Sequence, residues 1–221
     1  MPENQSMEDF LDEWWDDFLE REGRPPEEWL ATPEEVVDDE PAIEATSTAP
    51  KTLADLTPPL DDPEVVRRGE NAYQGALIAW SGYEDDFSKS GMEYSVDPLI
   101  LASIAGYESG GQPDAIGPTN DAGLMQFTER TWGTIMPDHD LSARLDPVVS
   151  IGAAAKLFDR DRKSLGSEDL AVLAYNVGPN KVKSILHGDA DFAGKSQYYW
   201  PVIMLTHQRL TQALHDGRLG E

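Results

Sequence analysis

The 221-residue chain has no cysteine, so it can form no disulfide and can offer no thiolate as a nucleophile or zinc ligand. It also lacks an apolar run of about 18 residues, and the sequence therefore predicts no membrane span. Only 17 residues are Lys or Arg, against 42 Asp and Glu, which gives a net charge of −25. This excess of acid argues against nucleic-acid or anionic-membrane binding through general electrostatics. The histidines have no metal-like spacing, and we expect neither a metal nor a cofactor: His139, His187, His207 and His215.

The acidic residues are concentrated near the N-terminus. Residues 1–64 hold 21 acidic and 3 basic side chains. Within residues 1–22, apolar side chains recur at helical spacing over 7–19, which predicts a short acidic amphipathic helix. Residues 23–63 are rich in Pro and acid and are predicted to be a linker, followed by a folded domain over 64–217. The amphipathic helix either folds back onto that domain or binds a basic, apolar groove on a partner protein.

Beyond residue 63, the residues that mark the starts and ends of elements are those typical of helices. Asp-Pro pairs predict helix starts at Pro63, Pro98 and Pro147, because Asp caps a helix and Pro suits its first turn. The first of these helices is expected to end near Trp80. Only Gly110–Gly123 is dense in turn residues, with room for a small hairpin. The predicted fold class is therefore mainly α (α+β) with a minor β element.

Glu108 is the candidate chemical residue. It ends an apolar run from Pro98 and shares a helical stripe with Ile100 and Ile104, so a carboxylate lies on a face that should be buried. Burial and the negative end of the helix, which Gly110 is expected to terminate, both favour its protonated form. A carboxylic acid held neutral is a proton donor. An isolated Glu at a helix end would more often be solvated, but the segments that follow favour a chemical role.

Three later segments accompany Glu108: Asn120-Asp-Ala-Gly-Leu-Met-Gln-Phe127, Leu173-Ala-Tyr-Asn-Val-Gly-Pro179 and Gln197-Tyr-Tyr-Trp200. Their order and spacing resemble the soluble lytic transglycosylase family of the lysozyme-like superfamily, over about residues 96–202. The stretch Gly117 to Gln126 is particularly similar to peptidoglycan-cleaving enzymes that accompany secretion systems and phage particles.

The resemblance implies a lysozyme-like fold and cleavage of the β-1,4 bond between N-acetylmuramic acid and N-acetylglucosamine in peptidoglycan. Glu108 would protonate the glycosidic oxygen and then act as base on the muramoyl C6 hydroxyl, giving a 1,6-anhydro product. No second acid stands out, which suits a mechanism with one carboxylate. The resemblance also assigns substrate-binding or positioning roles to six further residues: Ser109, Met125, Gln126, Tyr175, Asn176 and Tyr199.

The chain departs from the family at its last motif. The family pattern has Glu-Thr, two variable residues and then Tyr, whereas Lys195-Ser-Gln-Tyr-Tyr199 occupies the place here. Tyr199 can supply the tyrosine, with Tyr198 as an alternative register, but the glutamate is absent. The change bears on how the muramoyl unit and its peptide stem are held.

Two other functions remain open at this point. A goose-type lysozyme-like hydrolase or endolysin would need Asp114 or Asp121 to position water, and an adaptor would use the acidic arm without catalysis. The first residues lack the basic and apolar segments of a secretory signal, so we expect no signal peptide. Glycan strands of peptidoglycan are the expected substrate. A phage virion component made in the host cytoplasm and acting at the cell wall fits these features.

Overall fold

The computed structural model of the chain describes residues 52–188, 190, 192 and 194–219. These residues form eight α-helices and two short 3-10 helices, the latter at Leu141–Leu145 and Gly194–Tyr198. The α-helices are α1 Leu53–Leu56, α2 Pro63–Tyr94, α3 Pro98–Ser109, α4 Glu129–Ile135, α5 Pro147–Leu165, α6 Glu168–Val177, α7 Pro179–Leu186 and α8 Tyr199–His215. The predicted amphipathic helix over 7–19 lies outside the described residues, and the division into three segments stays a prediction.

The three predicted Asp-Pro helix starts are confirmed. Asp62, Asp97 and Asp146 are the N-caps of α2, α3 and α5, and each side chain accepts hydrogen bonds from main-chain N–H groups of its helix's first turn. These bonds satisfy donors that have no partner within the helix. The proline that follows each cap needs no such bond.

Helix α3 is the buried centre of the domain. Its residues from Pro98 to Gly106 are all buried, and α2, α5 and α8 pack around it. The crossing with α2 is very close, since a Cβ placed on Gly106 would lie 2.2 Å from the carbonyl oxygen of Ala72. The sequence places Glu108 just beyond this crossing, so tight packing fixes the backbone that carries it.

Two elements differ in length from the prediction. Helix α2 does not end near Trp80 but continues to Tyr94, with a kink at Tyr83 where φ is −143° and ψ is 29°. The expected hairpin within Gly110–Gly123 is reduced to two isolated antiparallel bridges, which join Ala122 to Ile116 and to Phe127. The segment is held by turns and side-chain hydrogen bonds instead of a continuous ladder.

The domain is mainly helical, as predicted from the sequence. Across the part of the chain that the structure describes, no helix combines the length and the apolar character that crossing a membrane requires.

Candidate active site

Glu108 lies in the last turn of α3, which ends at Gly110 with a left-handed φ of 64°. Glu108 is half-buried. Its Oε1 accepts a hydrogen bond of 2.8 Å from the hydroxyl of Tyr199, which begins α8 and has no exposed surface. A residue on the most buried helix is thereby joined to a residue 91 positions later in the chain.

The environment of Glu108 favours the protonated acid. Its pKa is raised from 4.5 to about 7, with burial as the largest cause; the Tyr199 hydrogen bond acts in the opposite direction, and the negative charge of Asp121 adds to the effect of burial. The helix end adds to this preference, because the C-terminus of a helix carries partial negative charge. Near neutral pH both forms of Glu108 are therefore populated, as an acid that must also serve as a base requires.

The loop over residues 115–127 carries the second predicted motif. Gln126 has a left-handed φ of 50°, and its side-chain amide donates hydrogen bonds to the carbonyls of Ala115 (3.0 Å) and Gly123 (2.8 Å). These bonds hold the loop closed over itself. Both donors are thus engaged within the loop, and the predicted contact of Gln126 with substrate stays a prediction.

Arg144 ties the same loop to the domain. It is buried, and its Nη1 donates to the carbonyls of Asn120 and Phe127, each at 2.9 Å. Gly123 passes so close that an added Cβ would lie 1.8 Å from the Arg144 carbonyl oxygen, and its φ is 82°. Only glycine fits that position. The position of Asp121 between these anchors is consequently fixed relative to Glu108.

Tyr175 joins the loop to α6. Its hydroxyl donates a 3.0 Å hydrogen bond to the main-chain carbonyl of Met125. Burial raises the pKa of Tyr175 well above its usual value, and the charge of Glu108 raises it further, so the phenol stays neutral beside the acid. The Met125 side chain has no exposed surface and packs in the core. Met125 therefore meets the site through its main-chain carbonyl.

The remaining predicted residues differ in their surroundings. The Ser109 hydroxyl donates to the Ala105 carbonyl at 3.0 Å, one turn back on α3, and so caps its own helix. Asn176 is exposed near the end of α6. Neither arrangement tests a role in substrate binding, and both roles stay predictions.

The two candidate tyrosines of the last motif differ in their contacts, and assigning Tyr199 to the motif stays a prediction. Tyr199 makes the hydrogen bond to Glu108, whereas the ring of Tyr198 lies under the guanidinium of Arg68, whose Cζ is 4.8 Å from the ring centroid. Tyr107 was not singled out from the sequence, yet its ring meets the Tyr199 ring edge-on at 4.8 Å. Its position next to Glu108 in an apolar run was the available signal.

In chemical terms, the site offers one proton-donating carboxyl group, neutral phenols beside it and a rigid loop. Among the described residues, no three His, Cys, Asp or Glu side chains are grouped in a way that could hold a metal ion. Such an arrangement can protonate a leaving oxygen and later recover the proton, since the Tyr199 hydroxyl stabilises the carboxylate formed in between.

Two known proteins are similar to part of this chain. The chain is 36% identical over 104 residues to membrane-bound lytic murein transglycosylase F 1 of Alkalilimnicola ehrlichii, which covers 43% of this chain and 20% of that protein. It is 34% identical over 124 residues to peptidoglycan transglycosylase gp16 of Escherichia phage T7, covering 53% of this chain and 9% of that protein. The chain thus spans about a fifth or less of the length of these relatives.

Solved structures share the fold. The lytic transglycosylase Slt of Pseudomonas aeruginosa superposes with a TM-score of 0.53 at 19% identity, over 60% of this chain and 24% of that one. The 70 kDa soluble lytic transglycosylase of Escherichia coli gives a TM-score of 0.52 at 19% identity, over 62% and 25%. The family described as the transglycosylase SLT domain matches residues 85–197, about half of the chain, from the kink of α2 to the start of α8. The chain belongs to the transglycosylase SLT domain family.

Proposed function

We propose that the protein is a peptidoglycan lytic transglycosylase, with Glu108 as its catalytic acid and base. Protonated Glu108 donates its proton to the glycosidic oxygen between N-acetylmuramic acid and N-acetylglucosamine, and the bond from muramoyl C1 to that oxygen breaks, so that N-acetylglucosamine leaves with a hydroxyl group. The resulting carboxylate takes the proton of the muramoyl C6 hydroxyl, whose oxygen bonds to C1 to give a 1,6-anhydro ring. The observation that carries this proposal is the Glu108 carboxyl group, with a pKa of about 7 and a 2.8 Å hydrogen bond from Tyr199.

The hydrogen bonds of Tyr199 and Tyr175 have different roles in the proposed reaction. Tyr199 stabilises the carboxylate between the two proton transfers, because hydrogen bonds to an ionised group are stronger than those to a neutral one. Tyr175 holds the Met125 carbonyl and thereby the loop that would flank the sugar. Ser109, Gln126 and Asn176 remain proposed contacts to the glycan, as the family resemblance implies.

The test is mass spectrometry of soluble products from purified peptidoglycan. The parent protein should release 1,6-anhydromuropeptides, and Glu108→Gln should release none. Glu168→Gln is a matched control, because Glu168 is another shielded carboxyl group whose pKa is raised to about 7, outside the site. Products from Glu108→Gln at the parent rate would refute the assignment of the acid.

A hydrolase of the goose-type lysozyme class is the second candidate. Asp121 favours it, because its charge acts on Glu108 and its Oδ1 is buried with no hydrogen-bond partner in the described part of the chain. A water molecule bound to Asp121 would supply the nucleophile that hydrolysis requires. Muropeptides with a reducing muramic acid end, formed from the start of the reaction, would favour hydrolysis over transglycosylation.

We also propose that residues 7–19 bind another protein, and that the chain is a phage virion component that opens the cell wall locally during DNA entry. The acidic amphipathic pattern of this segment and the similarity to a phage peptidoglycan transglycosylase support the proposal. Deleting residues 1–22 should remove the protein from purified particles without removing its activity on isolated peptidoglycan. A truncated chain that still enters particles would refute the docking role, whereas an adaptor would keep its biological role with Gln at position 108.

A further inference from the structure

A pocket of about 380 Å³ lies beside the catalytic helix, and its polar lining is basic. Arg67, Arg68 and Asn71 contribute from α2, Tyr107 from α3, and Lys195 from the 3-10 helix that precedes α8. Three cationic side chains therefore meet at one cavity, although residues 65–221 of the chain carry 21 acidic and 14 basic side chains. A local reversal of sign of this kind favours an anionic ligand.

The two arginines share one carboxylate. Glu64 accepts hydrogen bonds from Arg67 Nη2 at 2.8 Å and from Arg68 Nε at 2.7 Å, and these bonds lower the pKa of Glu64 to about 2. One acid cannot neutralise two guanidinium groups, and the exposed Lys195 adds a third positive charge. The pocket thus keeps an excess of positive charge while its arginines are held in place.

The pocket shares a wall with the acid. Tyr107 lines the pocket, directly precedes Glu108 in the chain, and contacts the ring of Tyr199 that holds the Glu108 carboxyl group. If Tyr199 is taken as the tyrosine of the last motif, Lys195 stands where the family pattern has its glutamate. The wall therefore carries an ammonium group at the position of a carboxylate.

We infer that this pocket binds a carboxylate of the substrate, and that Lys195 makes the chain selective for it. The inference rests on the proposed function, since the carboxylate belongs to a muramoyl unit bound at Glu108. Two sources share this chemistry. In a strand without peptide the lactyl group of muramic acid carries a free carboxylate, whereas in a strand with a peptide stem that group is amide-linked and the stem supplies the carboxylates. Each stem residue extends the reach by about 3.3 to 3.6 Å.

The experiment measures binding in the Glu108→Gln background, so that it does not depend on turnover. Three sets of glycan fragments are titrated by calorimetry: peptide-free fragments, fragments with stems whose carboxylates are free, and the same stems fully amidated. Each set is bound to protein with Lys195, Lys195→Met or Lys195→Glu. Lys89→Met is the matched control, because Lys89 is exposed and lies on α2 about 30 Å along the helix from Arg68.

Lys195→Glu should weaken binding of the fragments whose carboxylate the pocket holds about threefold to tenfold, as expected for reversing one partly exposed charge. Lys195→Met should weaken the same binding by an intermediate factor. The amidated set should bind all variants equally, and the Lys89 variant should match the parent. An effect confined to free stems identifies the stem as the source, and an effect confined to peptide-free fragments identifies the lactyl group. Equal losses on amidated and free fragments, or no loss on either, would overturn the inference.

A failure of this inference is separate from a failure of the proposed function. If anhydro products form but the Lys195 variants bind all fragments alike, transglycosylation stands and carboxylate selectivity does not. If fragments bind in the predicted order but no anhydro product is released, the pocket stands and the reaction assignment fails.

Discussion

Glu108 and Glu168 are both half-buried acids, and the pKa of each is raised to about 7, with burial as the largest cause. They differ in their place on a helix. Glu108 occupies the last turn of α3, whereas Glu168 occupies the first turn of α6, directly after its N-cap Ser167. The partial negative charge at the end of a helix disfavours a carboxylate, and the partial positive charge at the start favours one. Burial alone therefore makes the two acids look alike, and the helix ends distinguish them.

Their partners differ as well. Glu108 accepts a hydrogen bond from the neutral phenol of Tyr199, and its charged neighbour is the anion Asp121. Near Glu168 lie the anion Asp97 and two cations, His207 and Arg162, which oppose the effect of burial. His207 Nε2 is itself 2.7 Å from Asp97 Oδ2, the cap of α3. Glu168 thus belongs to a charge network that joins helices, and a raised pKa does not by itself identify a catalytic acid.

Replacing each acid by glutamine tests that distinction most strongly. Glu108→Gln should lower the rate of anhydromuropeptide release about 100-fold to 10,000-fold, the range for loss of a general acid. Glu168→Gln should keep the rate within about threefold of the parent, since its network reaches only the far end of α3 and includes neither Glu108 nor Tyr199. Initial rates on purified peptidoglycan measure both. A larger loss at position 168 than at position 108 would reverse the assignment.

Stability against pH separates the same pair in a second way. The folded-state pKa of Glu108 lies above its value of 4.5 in an unfolded chain, so its contribution to stability is fully present below pH 4.5 and is lost as the pH rises through about 7. Glu108→Gln cannot ionise and should gain about 2 to 3 kcal/mol relative to the parent between pH 4.5 and pH 8. Chemical denaturation at both pH values measures the gain.

Glu168→Gln is the comparison in that experiment. It also removes a desolvated carboxylate, whose pKa of about 7 already includes the attraction of His207 and Arg162, but it forfeits the favourable position at a helix start. Its gain at pH 8 should therefore be smaller than that of Glu108→Gln. An equal gain would mean that the two helix ends do not distinguish the acids, and the contrast between the two sites would then rest on geometry alone.

The features of the site that depend on neighbours in the chain could be predicted from the sequence. The Asp-Pro helix starts and the position of Glu108 at the end of a buried stripe follow from local spacing. The bond from Tyr199 crosses 91 residues and the bond from Tyr175 to Met125 crosses 50, so they depend on how helices pack. Tyr199 entered through a family resemblance, and its contact with Glu108 required the structure.

Local sequence patterns did not predict the length of α2 or the burial of Met125, for different reasons. The kink at Tyr83 hid the continuity of α2, because the polar stretch after Trp80 has no regular apolar stripe to signal a helix. Met125 was expected to have a substrate-binding or positioning role, yet in a short loop the spacing does not show which way a side chain points. Its burial follows from the hydrogen bonds that fold residues 115–127.

Tyr199→Phe tests the role of the hydrogen bond to Glu108 and should have a moderate effect. The lost hydrogen bond favours the carboxylate, so its removal should raise the pKa of Glu108 and move the alkaline limb of the rate profile up by about one pH unit. The maximal rate should fall about tenfold, because the carboxylate formed during the reaction loses a donor. Tyr198→Phe is the control and should leave the limb in place. A downward movement of the limb in Tyr199→Phe would contradict the assigned role.

Asp121→Asn should have the smallest effect and bears directly on the reaction type. The negative charge of Asp121 raises the pKa of Glu108, so its removal should lower that pKa and move the alkaline limb down by about a few tenths of a pH unit. Asp114→Asn tests the other carboxylate that a hydrolase could use, and Asp138→Asn, an exposed residue outside the loop, serves as control. If Asp121 acts only through its field, the variant keeps producing anhydromuropeptides at nearly the parental rate. If it instead positions a nucleophilic water, the rate collapses and the parental product carries a reducing end, because that chemistry needs two carboxylates in contact with the sugar.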